Sequence, residues 1–130
     1  MKKKIKVLCV CSKGQNRSKY LANYLRRKGY STRYGGLEIN RDYPLNQKFV
    51  TQKDVDWADL IIITRKRLKH LFNKKFRSDK KIIFLDVTDS KRLIPEKYAH
   101  LREVSHNEFQ KKWTRPQLRK EIKQHLPLTH

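Results

Sequence analysis

Cys11 and Arg17 stand with five residues between them, and Ser18 follows at once, in Val7-Leu8-Cys9-Val10-Cys11-Ser12-Lys13-Gly14-Gln15-Asn16-Arg17-Ser18. These residue types can do one kind of chemistry together. A thiolate can attack phosphorus in line, and a guanidinium can grip two phosphoryl oxygens in bidentate fashion. A thiol is mostly protonated at neutral pH, but a helix N-terminus and nearby cations lower its pKa to roughly 3.5–7.5. The Ser18 hydroxyl is spaced to donate to the Cys11 sulfur. Successive amides from Ser12 to Ser18, with the Lys13 charge beside them, would cradle the phosphate. These are the parts needed to cleave a phosphomonoester.

The spacing alone is weak, because Cys11 could be a buried strand-end cysteine and Arg17 a surface helix residue. What strengthens the functional reading is the flanking structure that the residues predict. An apolar run from Lys4 to Val10 reads as a central strand of a parallel sheet. Gly14 falls where the loop must turn sharply. Ser18 to Lys28 carries Leu21, Ala22, Tyr24 and Leu25 at helical spacing, with Gly29 as a stop. Strand, loop and helix N-terminus form an anion cradle.

Cleaving an ester this way also needs a proton donor for the leaving oxygen and then a base for water. The loop Asp86-Val87-Thr88-Asp89 is the candidate by position, since it follows a strand ending at the same edge. Either aspartate could equally be a turn or cap residue.

The remaining elements alternate. Ser31 to Ile39 reads as a second strand interrupted by Gly35-Gly36, and Asn40 to Val50 as a loop turning at Asp42-Tyr43-Pro44. Thr51 to Ala58 is a short helix with Thr51 as N-cap and Asp54 at the capping-box offset. Leu60-Ile61-Ile62-Ile63 is a third strand, Arg65 to Phe76 an amphipathic helix, and Ile82 to Leu85 a fourth strand. Helix resumes at Pro95. A last helical segment, Asn107 to about His125, should break at Thr114-Arg115-Pro116, with Pro116 opening the final helix. The pattern predicts an α/β fold with a four-stranded parallel sheet flanked by helices, in one domain over 1–130. A ligand would sit at the strand C-termini, where Cys11 lies.

The chain has 130 residues and a formal charge of +21. No apolar run approaches the ~20 residues of a membrane span, and no signal peptide is evident, so a cytoplasmic setting is expected. The two cysteines, Cys9 and Cys11, cannot build a disulfide framework, and without a clustered set of histidines they argue against zinc; the thiolate chemistry itself requires neither a metal nor an organic cofactor. The charge implies polyanionic partners. Its densest run is Arg65–Lys81, a possible face for nucleic acid or an anionic surface; a merely soluble, lysine-rich surface is the plainer reading.

Val7 to Ser18 resembles the active-site loop of the low-molecular-weight protein tyrosine phosphatases, in their short, divergent branch. Tyr34-Gly35-Gly36, Trp57-Ala58-Asp59-Leu60-Ile61 and Phe84-Leu85-Asp86-Val87-Thr88-Asp89 continue the resemblance in order. It implies a three-layer sandwich, a cysteinyl-phosphate mechanism without a cofactor, and Asp89 as the acid, with Asp86 the alternative. It also places Tyr43 near the site mouth, where that residue could flank substrate or merely anchor the loop. The chain departs from the family where Ser90-Lys91-Arg92 follow the acid and Lys19 follows Arg17-Ser18. With Lys13, the cations Lys19, Lys91 and Arg92 would suit a polyanionic phosphate (a phosphoprotein, a nucleotide or RNA end, an inositol phosphate) better than a neutral aryl ester. The competing reading is a phosphate- or nucleic-acid-binding module on the same scaffold, with little or no turnover.

Overall fold

The chain is described from a computed structural model covering residues 4–13, 16–38 and 48–129. Its centre is strand β1, Lys6–Cys11, in which every residue from Val7 onward is buried. Strands β2 (Ser31–Gly36), β3 (Leu60–Ile63) and β4 (Lys81–Phe84) complete a four-stranded sheet in the order β2-β1-β3-β4. All pairings are parallel, with Cys9 opposite Tyr34 on one side and Ile62 on the other. Such a sheet is covered on both faces, which explains why β1 and β3 are continuously apolar.

Side chains of β1 alternate between two cores. Val7 and Cys9 pack with Leu21, Ala22 and Leu25 of helix α1 (Arg17–Arg27) and Leu118 and Ile122 of helix α5 (Arg115–Lys123). Leu8 and Val10 pack on the other face with Val55 of helix α2 (Gln52–Trp57) and Phe72 of helix α3 (Lys69–Lys75). The result is a helix–sheet–helix sandwich. A third cluster, Ile94, Leu101, Phe109 and Trp113, lies beyond the β4 end.

Local chemistry sets the ends of the elements. Gly29 sits at φ +100°, and the Tyr30 and Gly29 amides donate to the Leu25 and Arg26 carbonyls, closing α1 in a Schellman motif. Thr51 and Asp54 form a reciprocal capping box on α2. Gly35-Gly36 does not interrupt β2 but ends it. A Cβ at Gly35 would lie 2.8 Å from the Val50 backbone nitrogen, so glycine permits this close approach.

Two helical expectations are corrected. The Arg65–Phe76 segment is a 3-10 turn over Lys66–Leu68 followed by α3. Pro116 does stand in the first turn of α5, as expected, but the last segment does not break at Thr114-Arg115-Pro116. It runs from the short helix α4 (His106–Phe109) through a π-helical turn, Gln110–Thr114, directly into α5. Pro116 lacks an amide and its ring crowds the preceding turn, and the widened turn just before α5 accommodates both effects.

Candidate active site

The β1 strand outruns its neighbour β3, whose pairing stops at Val10–Ile63, so Cys11 stands at the sheet's edge. Its sulfur lies 3.0 Å from the Ser18 hydroxyl oxygen, and both residues are buried. Ser18 is on the first turn of α1, so strand and helix meet here sulfur to hydroxyl. Arg17, one residue earlier and only 4% exposed, points across the end of the sheet. Its Nη1 donates to the Val87 carbonyl at 2.9 Å, and its Nε lies 3.3 Å from Asp89 Oδ2. That second contact is an ion pair by distance but lacks hydrogen-bond alignment, so the buried Nε has no hydrogen bond among the described residues.

Cys11, Arg17 and Asp89 line a cleft of about 560 Å³ together with Ser12, Lys13, Asn16, Arg67, Ser90 and Arg92. Among the described lining residues Lys13, Arg17, Arg67 and Arg92 outnumber one carboxylate, Asp89, and even with Arg67 paired to Glu38 behind the wall the cleft is cationic. The loop carrying Asp89 is held from two sides. Arg17 takes the Val87 carbonyl, and the buried Trp113 indole donates to the Thr88 carbonyl at 3.0 Å. Tyr98 packs edge-on against Trp113 at 5.1 Å, so the third core cluster braces this loop.

The structure thus brings Cys11, Ser12, Lys13, Asn16, Arg17, Ser18, Asp89 and Arg92 together. Asp86 is elsewhere: half exposed, it accepts from the Lys66 amide and lies 3.6 Å from Arg65, at the start of the 3-10 turn. Lys91 is turned away from the rim, because its ammonium donates to the Val104 carbonyl while its own carbonyl accepts from Arg102. Lys19 faces a neighbouring cavity instead, since one residue along a helix rotates the side chain by about 100°. Tyr43, Gly14 and Gln15 lie outside the described residues.

Two participants were missed in the sequence. Glu38 accepts from the Ser12 hydroxyl at 2.6 Å and from Arg67 Nη2 at 2.9 Å, tying the residue after Cys11 to a rim cation. The Arg67 hydrogen bond, with help from Ser12 and the Arg67 and Lys13 charges, holds the Glu38 carboxyl below its ordinary value despite partial burial. The available signal was position: Glu38 lies just past the C-terminal end of β2 and Arg67 just past that of β3, both at the ligand edge. Cys9 behaves oppositely to a site residue. Full burial, and then the nearby Cys11 charge, push its thiol far up, so it stays protonated.

This architecture is that of the low-molecular-weight protein tyrosine phosphatases. Among solved structures, the chain is similar to a low-molecular-weight phosphotyrosine phosphatase of Vibrio cholerae O395, with a TM-score of 0.57 at 19% identity over 88% of this chain and 89% of that one. It is also similar to a low-molecular-weight protein tyrosine phosphatase of T. tengcongensis (TM-score 0.56, 14% identity, 92% and 99% covered). YfkJ of Bacillus subtilis gives a TM-score of 0.53 at 13% identity over 99% of both chains. Neither a scan against family models nor a search of curated proteins gives a match. The shared fold is therefore carried by structure and not by overall sequence.

Proposed function

We propose that the chain, acting as one unit over residues 1–130, is a cysteine-dependent phosphomonoesterase. The observation that carries this reading is the Cys11 sulfur 3.0 Å from the Ser18 hydroxyl, at the base of a cleft shared with Arg17 and Asp89. The Cys11 thiolate attacks phosphorus, the P–O ester bond breaks, and Asp89 gives a proton to the leaving oxygen. Asp89 then takes a proton from water as that water attacks the cysteinyl phosphate, releasing inorganic phosphate and the thiolate. Loop amides from Ser12 to Ser18 and the Arg17 guanidinium stabilise the transferring phosphoryl group. An incoming phosphate competes with Asp89 for Arg17 Nε, which frees the carboxyl to face the leaving group.

Fold relatives named as phosphatases support the reaction class. Charge supports a reading of the substrate class. Lys13, Arg67 and Arg92 on the cleft wall favour a phosphomonoester carrying further negative charge, whether phosphoprotein, nucleotide or RNA end, or inositol phosphate. The exposed lysines and arginines of Arg65–Lys81 extend that field, and could hold nucleic acid or another anionic surface, in a cytoplasmic setting.

The test is steady-state hydrolysis of a small aryl phosphate. Wild type should turn over, Cys11→Ser should not, and Asp89→Asn should lose about 10²–10⁴-fold in kcat, the usual range for a general acid. A wild-type rate equal to that of Cys11→Ser on both aryl and polyanionic phosphates would leave a binding module in place of an enzyme.

A further inference from the structure

Beside the Cys11 cleft lies a second cavity, of about 320 Å³, between the first turn of α1 and the π-helical turn. Asn16 lines both cavities; Lys19, Tyr20, Gln110, Thr114 and Arg115 belong only to the second. Two of its groups are anomalous. Gln110 is 5% exposed and Thr114 1%, yet the Gln110 Nε2 and the Thr114 hydroxyl have no hydrogen-bond partner among the described residues. A buried donor left without a partner costs stability, and native proteins seldom keep one without a reason. Both groups come from the π-helical turn, a distortion found disproportionately at functional sites.

The chemistry of the lining selects the occupant. Gln110 Nε2 is a donor only, the Thr114 hydroxyl can donate, and Lys19 and Arg115 supply two positive charges. Arg115 is steadied above the Tyr20 ring, 5.5 Å from its centroid, and Arg119 fixes the Tyr20 hydroxyl at 2.8 Å. Among the described residues, no carboxylate lines the cavity. The rest of the lining, Asn16, Asn23, the Tyr20 hydroxyl and Leu118, is neutral, so two cations with no opposing charge beside two unpartnered donors call for an oxyanion, and the volume is larger than a bare anion needs.

We propose that this cavity is a second site for a phosphate-bearing group, held by Gln110, Thr114, Lys19 and Arg115. The occupant is either a separate phosphate or the remote phosphate of the molecule whose first phosphate lies at Cys11, the two sites meeting at Asn16. The π-helical turn also carries Trp113, whose indole holds the Thr88 carbonyl, so an occupant would bear on the turn that braces the Asp89 loop. The inference does not depend on turnover at Cys11.

Inorganic phosphate titrated into Arg17→Ala protein, followed by amide chemical shifts and calorimetry, isolates the second site. Saturable binding is expected, with shifts concentrated over residues 110–118. Adding Arg115→Gln, an exposed change, should weaken it about tenfold, the loss of one charge-assisted contact. Gln110→Met should weaken it comparably while raising the thermal midpoint, because it removes a donor that lacks a partner. No binding to Arg17→Ala protein, or binding indifferent to Arg115, would overturn the proposal. The source is read on Cys11→Ser protein with a short alkanediol bisphosphate. An affinity gain over inorganic phosphate that Arg115→Gln abolishes assigns one bridging molecule. No gain, with the Arg115-dependent phosphate site intact, assigns a separate anion.

Discussion

Cys9 and Cys11 lie on one strand, point to one face and are both buried, yet their surroundings differ. Cys9 is opposite Tyr34 and Ile62 in mid-sheet, walled by apolar side chains from α1 and α5, and its thiol is held neutral. Cys11, two residues on, has passed the last β3 pairing and meets the Ser18 hydroxyl, within a cleft of cations. Residue type and strand are the same in both cases. On the proposed function, what separates the two thiols is where the sheet ends, because a strand end beside a helix N-terminus is where a sulfur can meet a hydroxyl and cations.

The comparison breaks most cleanly by exchanging roles. Cys11→Ala should abolish hydrolysis of an aryl phosphate, whereas Cys9→Ala should retain it; equal losses would mean that both thiols serve the site. Labelling gives the next largest contrast. An anionic alkylating agent such as iodoacetate should modify one cysteine per native chain, at Cys11, with protection by phosphate, and both cysteines after unfolding. Modification of native Cys9 would contradict its assignment to the core. In a denaturant series Cys9→Ser should cost about 1–3 kcal/mol, the penalty for a buried hydroxyl without a partner.

The smallest effect concerns Glu38, which tethers the loop residue after Cys11. Its folded pKa lies below the ordinary value of about 4.5, so its stabilisation is complete above that value and is lost as pH falls through the folded one. Wild type should therefore exceed Glu38→Gln in thermal midpoint near neutrality, with the gap closing only under acid conditions. The gap should be small because Glu38 is 38% exposed and water screens its pair with Arg67. A gap that stays constant into strong acid would remove the charge from this explanation.

Much of this was legible in the residues because it depends on local pattern. The continuous apolar runs of β1 and β3 announce a buried parallel sheet, and Cys11, Arg17 and Ser18 are close in sequence. The Asp86–Asp89 loop could be placed because its strand ends at the same edge, and the family resemblance alone preferred Asp89 to Asp86. What escaped was set by tertiary packing. Nothing in Ser90-Lys91-Arg92 says that Lys91 folds back to the Val104 carbonyl while Arg92 reaches the cleft. Glu38 and Arg67 follow different strands, and only the parallel register brings them together. The break expected at Pro116 became a π-helical turn because Leu118 and Ile122 keep α5 docked in the core shared with α1. That continuity also places Gln110 and Thr114 beside α1.

The most direct test of the central claim is to quench a turning-over reaction in acid and map covalent phosphate by mass spectrometry. The account predicts phosphate on the Cys11 sulfur alone and, with an aryl ester whose leaving group departs without a proton, further accumulation in Asp89→Asn protein, where water activation is slowed. Turnover with phosphate on another residue, or with none on Cys11 in either protein, would contradict it.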